Sequence, residues 1–105
     1  MKSYTTEEIA TAAGVTLRTV RFWHTEGLLG KVERNRLGIR QFNQAQMNQA
    51  KVVRLLQMSG KSLDEIKATL AAPMWGNAAV EALIKIRDFC DEVEDIIAAD
   101  KGFDL

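Results

Sequence analysis

One glycine near the start of the chain, between two helix-length runs, constrains the fold more than any other residue. Small and apolar residues recur at helical spacing on both sides of Gly14, so two helices can cross closely there. Gly14 can adopt the positive φ that a tight turn demands, and the Thr16 hydroxyl can accept from the first amides of the second helix. Residues 10–27 are therefore predicted to form a helix-turn-helix.

The second helix turns its basic residues away from the predicted core. With Val20 facing inward, and at about 100° per residue, Trp23 falls within about 60° of it. About 100–200° away on the same wheel lie Arg18, Arg21 and Phe22. A capped helix with arginines outside fits the major groove of DNA, where Arg meets guanine edges or phosphates. An ordinary helical hairpin with solvated arginines would produce the same pattern.

The charges are divided between the two ends of the chain. Residues 1–70 carry eleven Lys and Arg against six Asp and Glu, a net charge of +5, whereas residues 71–105 carry three against eight, a net charge of −5. The formal net charge of zero conceals this division. A basic first part and an acidic last part suggest two separate tasks.

Length and composition favour one small domain, or a small domain with an extension, in the 105 residues. The single cysteine, Cys90, cannot form a disulfide within the chain, which agrees with a reducing compartment. The N-terminus has no apolar signal region, and no apolar run is long enough to span a bilayer. We therefore expect a cytoplasmic protein.

After the second helix the periodicity changes. Short, partly alternating runs at residues 28–32 and 39–42 flank residues 33–38, whose Asn and Gly suit a turn. We predict a small β-hairpin with a basic tip. Its cations can reach phosphates beside the groove, although they can equally serve to solubilise a loop. They are Lys31, Arg34, Arg36 and Arg40.

Two helices are predicted next. Asn43 is placed to cap a helix from residue 44 to about 59, which Gly60 closes. Its buried side is predicted to carry Met47, Ala50, Val53 and Leu56, with Met58 at the margin. Residues 62–65 form a capping-box pattern that opens a short helix to about residue 70, and Pro73 stops it. The inward residues of this short helix are predicted to be Leu63, Ile66 and Leu70.

The last helix is predicted to begin after a cap at Asn77 and to end near Asp100. Its apolar positions step by four, three, four, three and four residues, which is a heptad seam. These positions are Ala79, Leu83, Ile86, Cys90, Val93 and Ile97. An isolated helix with such a stripe must either fold back on the first part of the chain or pair with another chain, and we favour pairing.

In the order of these elements and in their residues, the chain resembles the MerR family of bacterial transcription regulators. The resemblance covers residues 4–70. The matching segments are Thr6-x-x-Ile9-Ala10, Gly14-Val15-Thr16-x-Arg18-Thr19-Val20-Arg21, Glu26-Gly27-Leu28-Leu29, Gly38-Ile39-Arg40-x-Phe42 and Gly60-x-Ser62-Leu63-x-Glu65-Ile66.

The resemblance implies a winged helix-turn-helix head followed by a helix that forms an antiparallel coiled coil with its twin. It also implies that the residues around Arg18 and Arg21 touch DNA and that Arg40 lies in the wing. The chain departs from the family where Phe22 and Trp23 replace a usual pair of tyrosines. A second departure is Gly30, where the family commonly has a proline.

Nothing in the sequence predicts a cofactor, a metal site or an enzyme. His24 is the only histidine and fits a partly packed helix residue, while Cys90 falls on the seam, where packing is the simpler interpretation. Drug-sensing members of the family carry a ligand domain, and metal-sensing members carry several cysteines. This sequence has the single cysteine Cys90, and the resemblance implies no effector. No phosphate-binding glycine loop or metal-ligand spacing is present.

These observations predict a mainly α-helical fold with a winged helix-turn-helix at residues 1–72, a linker at 73–77 and a coiled-coil dimerisation helix and tail at 78–105. The predicted DNA contacts are Thr16, Arg18, Thr19, Arg21, Phe22, Trp23, Lys31, Arg34, Arg36 and Arg40. The predicted dimer interface comprises Leu83, Ile86, Cys90, Val93 and Ile97.

We interpret the chain as a sequence-specific transcriptional regulator that binds an inverted repeat as a homodimer, bends or untwists promoter DNA and acts with RNA polymerase. Two alternatives stay open. An excisionase or recombination directionality factor would fill adjacent direct repeats. A protein-binding adaptor on the same scaffold would bind no DNA, and the departures at Phe22, Trp23 and Gly30 motivate it.

Overall fold

A computed structural model of the chain describes residues 2–100. Its elements are α1 (Thr6–Ala13), α2 (Leu17–Thr25), β1 (Glu33–Arg34), β2 (Arg40–Gln41), α3 (Gln44–Met58), α4 (Leu63–Ala71) and α5 (Trp75–Ala99). The chain forms two compact units, the first ending at Arg54 and the second starting at Leu55. The predicted fold class, mainly helical with one small hairpin and a long last helix, is confirmed. The predicted tail, residues 101–105, lies outside the described residues.

The helix-turn-helix forms where it is predicted. Thr5 and Glu8 cap α1 reciprocally, since the Glu8 amide donates to the Thr5 hydroxyl at 3.1 Å and the Thr5 amide donates to the Glu8 carboxylate at 3.0 Å. Gly14 ends α1 with φ 71°, and the Thr16 hydroxyl accepts from the Thr19 amide to open α2. The crossing of α1 and α2 is therefore fixed by local capping at both sides of the turn.

The core of the first unit is built from both helices and from the segment that follows them. Its buried side chains are Ile9, Ala10, Ala13, Val20, Trp23, Leu28, Leu29, Phe42, Met47, Ala50 and Val53. Leu28 and Leu29 are part of this core because Gly27, with φ 78°, reverses the chain after α2. The Leu28 amide then donates to the carbonyl of Trp23 at 2.9 Å.

The predicted first strand, residues 28–32, is wrong. Positive φ values at Gly27 and Gly30 make this segment a turn that directs two leucines inward, and strand β1 forms later, at Glu33–Arg34. It pairs antiparallel with β2, with Glu33 opposite Gln41 and Arg34 opposite Arg40. We call residues 33–41 the wing. The predicted turn at residues 33–38 is correspondingly shorter, because its first two residues are the strand.

An additional backbone pairing joins the N-terminal residues to the end of the wing. Tyr4 and Phe42 form an antiparallel bridge in which each amide donates to the other's carbonyl, at 2.7 and 2.9 Å. The capping of α3 follows directly, since the Gln46 amide donates to the Asn43 side chain at 2.8 Å, as predicted.

The second unit contains the end of α3 together with α4 and α5. Gly60, with φ 99°, closes α3, and the amide of Lys61 donates to the carbonyl of Leu56 at 3.2 Å. Met58 is exposed, whereas Ile66 of α4 is buried. The Ser62–Glu65 capping box that opens α4 is present as predicted. The two other residues predicted to face inward, Leu63 and Leu70, are half-buried.

The predicted start of the last helix is wrong by three residues. Pro73 holds Ala72 in an extended conformation, Met74 adopts the left-handed conformation with φ 59°, and α5 begins at Trp75. Asn77 therefore lies inside the first turn, where its amide donates to the carbonyl of Met74, and it does not cap the helix. Of the predicted linker 73–77, residues 75–77 are helical. No helix within residues 2–100 has the length and the hydropathy to cross a membrane.

Candidate nucleic-acid interface

The outer face of α2 carries the predicted basic residues. Arg18, Arg21 and Phe22 are exposed. The Thr16 hydroxyl accepts from the Thr19 amide at 3.2 Å and lies 3.0 Å from the Thr19 hydroxyl. Because these contacts close the first turn with short side chains, both arginines project from a regular, capped helix.

The tip of the wing is shaped by one asparagine. The Asn35 side-chain oxygen accepts from the amides of Leu37 and Ile39, at 2.9 and 3.1 Å, and the Asn35 carbonyl accepts from the Gly38 amide at 3.0 Å. Nη1 of Arg34 donates to the Gly38 carbonyl at 2.8 Å. The wing thus has a defined turn, although each of its strands has only two residues.

A side-chain hydrogen bond joins the wing to α2. Nε of Arg40 donates to Nδ1 of His24 at 3.2 Å, and the His24 ring meets Phe42 edge-on with ring centroids 6.4 Å apart. Partial burial lowers the pKa of His24 below its ordinary value of 6.5, and the positive charges of Arg40 and Arg34 lower this pKa further. His24 is therefore neutral at pH 7, which is the form that can accept a hydrogen bond.

Three of the predicted arginines line one open groove, with a volume of about 360 Å³. Arg21 comes from α2, and Arg34 and Arg40 come from the wing. The rest of the lining is Thr5, Thr6, Glu7, Leu17, Gly38 and Ile39. The three guanidinium groups outnumber the one carboxylate of the lining, that of Glu7, and guanidinium groups can bind phosphate oxygens in a bidentate manner.

The family of the chain follows from a comparison with family models. The model of the MerR HTH family regulatory protein matches residues 4–72 of the 105 residues. The chain belongs to the MerR family. The resemblance that the sequence motifs indicate is thus confirmed, and the match extends from the residues before α1 to the end of α4.

Curated relatives of this MerR-family chain are named as regulators. An uncharacterized HTH-type transcriptional regulator of Haemophilus influenzae is 30% identical over 84 residues, which are 80% of this chain and 62% of the relative. The mercuric resistance operon regulatory protein of Shigella flexneri is 36% identical over 70 residues, 67% of this chain and 49% of the relative. The chain thus spans about half to three fifths of the length of these relatives. The expectation that it is not an enzyme is confirmed by its family.

Solved structures of MerR-family regulators have the same fold. HiNmlR, described as a MerR family regulator that lacks the sensor domain and is bound to promoter DNA, superposes with a TM-score of 0.72 at 24% identity. That match covers 92% of this chain and 80% of HiNmlR. The N-terminal part of MtaN, the multidrug transporter activator of Bacillus subtilis, has a TM-score of 0.64 at 25% identity and covers 90% of this chain and 94% of the other.

The structure does not bring all predicted contact residues of this MerR-family chain to the groove. Arg18, Phe22, Lys31 and Arg36 are exposed but do not line it. The hydroxyls of Thr16 and Thr19 are used in the cap of α2. Only Arg21, Arg34 and Arg40, three of the ten predicted residues, are shown to share one surface depression.

The burial of Trp23 argues against its predicted contact with DNA. Its side chain is only 3% exposed and belongs to the core of the first unit, because it lies on the same helix face as Val20. Phe22, 48% exposed, is the aromatic residue of this pair that the surface presents.

Two features of the candidate interface are not predicted from the sequence. The first is the Arg40–His24 hydrogen bond, which joins residues 16 positions apart and has no local signal. The second is the apolar tip of the wing, where Leu37 is 81% exposed and Ile39 50% exposed. The Asn-x-x-Gly spacing of the turn indicates the reversal but not the exposure of these side chains.

The structure offers no candidate metal site within residues 2–100, where no three His, Cys, Asp or Glu side chains cluster. Cys90 is exposed on α5 of the single chain, so its predicted burial requires a second surface.

Proposed function

We propose that this chain is a transcriptional regulator that binds double-stranded DNA through α2 and the wing. The observation that carries the proposal is the convergence of Arg21, Arg34 and Arg40 on one groove. In this arrangement the exposed face of α2 enters the major groove, where Arg18 and Arg21 meet base edges, and the wing arginines bind phosphates beside it. The relatives named as regulators and the description of HiNmlR as bound to promoter DNA support the same function.

The proposal includes a homodimer formed through α5, with residues 1–72 as the DNA-binding part and 73–77 as the linker. Residues of the seam are exposed in the single chain, Leu83 to 37% and Val93 to 36%. An open apolar groove of about 350 Å³ also lies along the seam. It is lined by Phe89, Cys90, Val93, Glu94 and Ile97. Pairing with a second copy would cover this surface. The proposed interface comprises Leu83, Ile86, Cys90, Val93 and Ile97, and it would place two heads on an inverted repeat.

The finer parts of the proposal concern the promoter. In this family, activation is understood as bending and untwisting of the promoter spacer so that RNA polymerase engages both promoter elements, which is a deformation of DNA rather than a base-by-base readout. We extend this mode to the present chain, with action in the cytoplasm and without a cofactor.

The first experiment is the selection of bound sequences from random duplex DNA at near-physiological salt, followed by affinity measurements against salt on the enriched sequences. We expect an enriched inverted repeat and an affinity that falls steeply with salt. Enriched direct repeats would instead indicate a recombination directionality factor. If nothing is enriched and the affinity has no salt slope, the chain is an adaptor and the proposal is wrong.

Arginine variants test the assignment of α2. Arg18→Ala and Arg21→Ala should each weaken specific binding by ~1–3 kcal/mol if the arginine makes a bidentate base contact. The matched control is Arg87→Ala, which removes the same exposed charge from α5. Unchanged affinity of both α2 variants at fixed salt, measured on the selected sequence, would remove α2 as the recognition helix.

A further inference from the structure

The hydrogen bond between Arg40 and His24 joins the wing to the recognition helix through side chains. Nε of Arg40, in β2, lies 3.2 Å from Nδ1 of His24, in α2. The His24 ring is supported from one side by Phe42, which is 1% exposed, in an edge-on contact with an interplanar angle of 82°. His24 thus rests against the core while it presents Nδ1 to an arginine of the groove.

This hydrogen bond leaves a defined part of the guanidinium available. A guanidinium has one N–H at Nε and four at the two Nη atoms. With Nε–H donated to His24, an anion can be bound in a bidentate manner only end-on, through both Nη groups. Arg40 lines the same groove as Arg21, Arg34 and the carboxylate of Glu7, so a phosphate bound by its Nη groups would lie in a groove with more positive than negative side chains.

We propose that His24 is a positioning residue for DNA binding: as a neutral imidazole it accepts from Nε of Arg40 and holds the Nη groups for an end-on contact with a DNA phosphate. The inference rests on the proposed function. It assigns His24 a task beyond packing, and it makes sequence-specific binding depend on the protonation state of the only histidine in the chain.

The electrostatics of the site agree with this task. A neutral acceptor orients an arginine without cancelling its charge, whereas a carboxylate would compete with the phosphate. The charged groups that act on His24 are Arg40 and Arg34, both from the wing, and with burial they hold its pKa below 6.5. Protonation would remove the acceptor at Nδ1 and place an imidazolium beside two guanidinium groups, so the Arg40 contact would break at acidic pH.

The first test needs no DNA. Because the chain has one histidine, a long-range ¹H–¹⁵N spectrum of the imidazole reports on His24 alone. At pH 8 we expect the tautomer with the proton on Nε2, since Nδ1 is the acceptor. A titration midpoint below 6.5 is expected, and it should rise in Arg40→Ala because one of the repelling charges is removed. A proton on Nδ1 at pH 8 would overturn the inference.

The second test measures specific and non-specific affinity of the full chain across pH 5–8 at constant salt, on a selected sequence and on random duplex. His24→Leu should lose about tenfold in specific affinity while non-specific affinity stays within about twofold, because the charge of Arg40 remains. His24→Asn is the matched control, since its side-chain oxygen can accept near the position of Nδ1, and we expect it to retain specific affinity within about threefold.

The pH profile separates positioning from a structural role. In the wild type, the ratio of specific to non-specific affinity should fall as His24 protonates, and in both variants this ratio should not change with pH. Equal losses in the Leu and Asn variants, or wild-type affinity in His24→Leu, would overturn the inference. Absence of any salt-dependent binding by the wild type would instead refute the proposed function itself.

Discussion

The first unit and helix α5 use their apolar residues in opposite ways. In the first unit, large side chains such as Trp23, Leu29 and Phe42 are at most 3% exposed, and arginines occupy the surface. On α5 the only buried residue is Ala82, whereas Phe89 and Ile96 are 64% and 63% exposed. Apart from Phe22 and the apolar tip of the wing, the first unit buries its large apolar side chains, whereas α5 presents the kind of surface that proteins usually cover.

The ends of the helices show the same contrast. Thr5 and Thr16 cap α1 and α2 with their side chains. In contrast, α5 begins after Met74 in a left-handed conformation, and no side chain caps its first amides. The helices of the first unit are thus fixed by local hydrogen bonds, so that they can present arginines in a defined geometry. The stability of α5 depends more on what packs against its apolar side.

The largest expected effect comes from the core of the first unit. Trp23→Ala should lower the free energy of unfolding by ~3–5 kcal/mol, because it leaves a large cavity under α2. Its neighbour supplies the matched control: Phe22→Ala removes an exposed ring and should change stability by less than ~1 kcal/mol. Urea unfolding followed by circular dichroism measures both.

Variants of Phe22 and Trp23 also test which of these two aromatic residues contacts DNA. Phe22→Ala should weaken specific DNA binding, whereas Trp23→Phe, which keeps an aromatic core side chain, should bind nearly as the wild type does. If a folded Trp23→Phe protein loses DNA binding while Phe22→Ala retains it, Trp23 and not Phe22 contacts DNA.

The second effect concerns α5. Ile86→Asp places a carboxylate in the proposed seam and should raise the dimer dissociation constant about a hundredfold or more, since burying an unpaired charge costs several kcal/mol. The control, Ile84→Asp, makes the same change at a 50% exposed position outside the heptad seam and should leave the dimer intact. Sedimentation equilibrium distinguishes the outcomes, and a monomeric wild type at micromolar concentration would refute the dimer.

The elements that the sequence predicts well are those with local causes. The turn at Gly14 and the capping of α2, α3 and α4 follow from Gly, Thr, Asn and Ser residues within four positions of the helix ends. The hydrophobic period also predicts the buried side of α3, since Met47, Ala50, Val53 and Leu56 are all buried. Residue identity and spacing are sufficient here because the interactions span one turn of helix.

The predictions fail where the local structure is determined by contacts with distant parts of the chain or by an unusual backbone conformation. Leu28 and Leu29 have the composition of a strand, but the core beneath Trp23 draws them inward between two glycines with positive φ. Asn77 has the chemistry of a cap, yet Pro73 and the left-handed Met74 start α5 earlier. At the site, the arginines are predicted from the sequence but the His24–Arg40 hydrogen bond is not, because only the fold brings these two residues together.

The smallest expected effect concerns the second unit, where the start of α4 is capped by side chains and the start of α5 is not. The backbone amide of Ser62, and to a lesser extent its side chain, hydrogen-bonds the carboxylate of Glu65 and lowers the pKa of Glu65 below its ordinary 4.5. Since the folded pKa is the lower one, the contribution of the carboxylate to stability is present above pH 4.5 and is lost as the pH falls through the folded pKa. The start of α4, unlike that of α5, should therefore loosen in acid.

The amide proton of Ser62 reports this titration directly, because it donates to the Glu65 carboxylate at 3.0 Å. Its chemical shift should titrate with a midpoint below 4.5, together with the amide of Glu65, which donates to the Ser62 hydroxyl. Glu65→Gln keeps an acceptor of the same length without a titrating group, so the Ser62 shift should stay constant over this range. A midpoint at or above 4.5 in the wild type would show that the capping box does not stabilise the charged carboxylate in solution. The proposed difference between the start of α4 and the uncapped start of α5 would then have no electrostatic part.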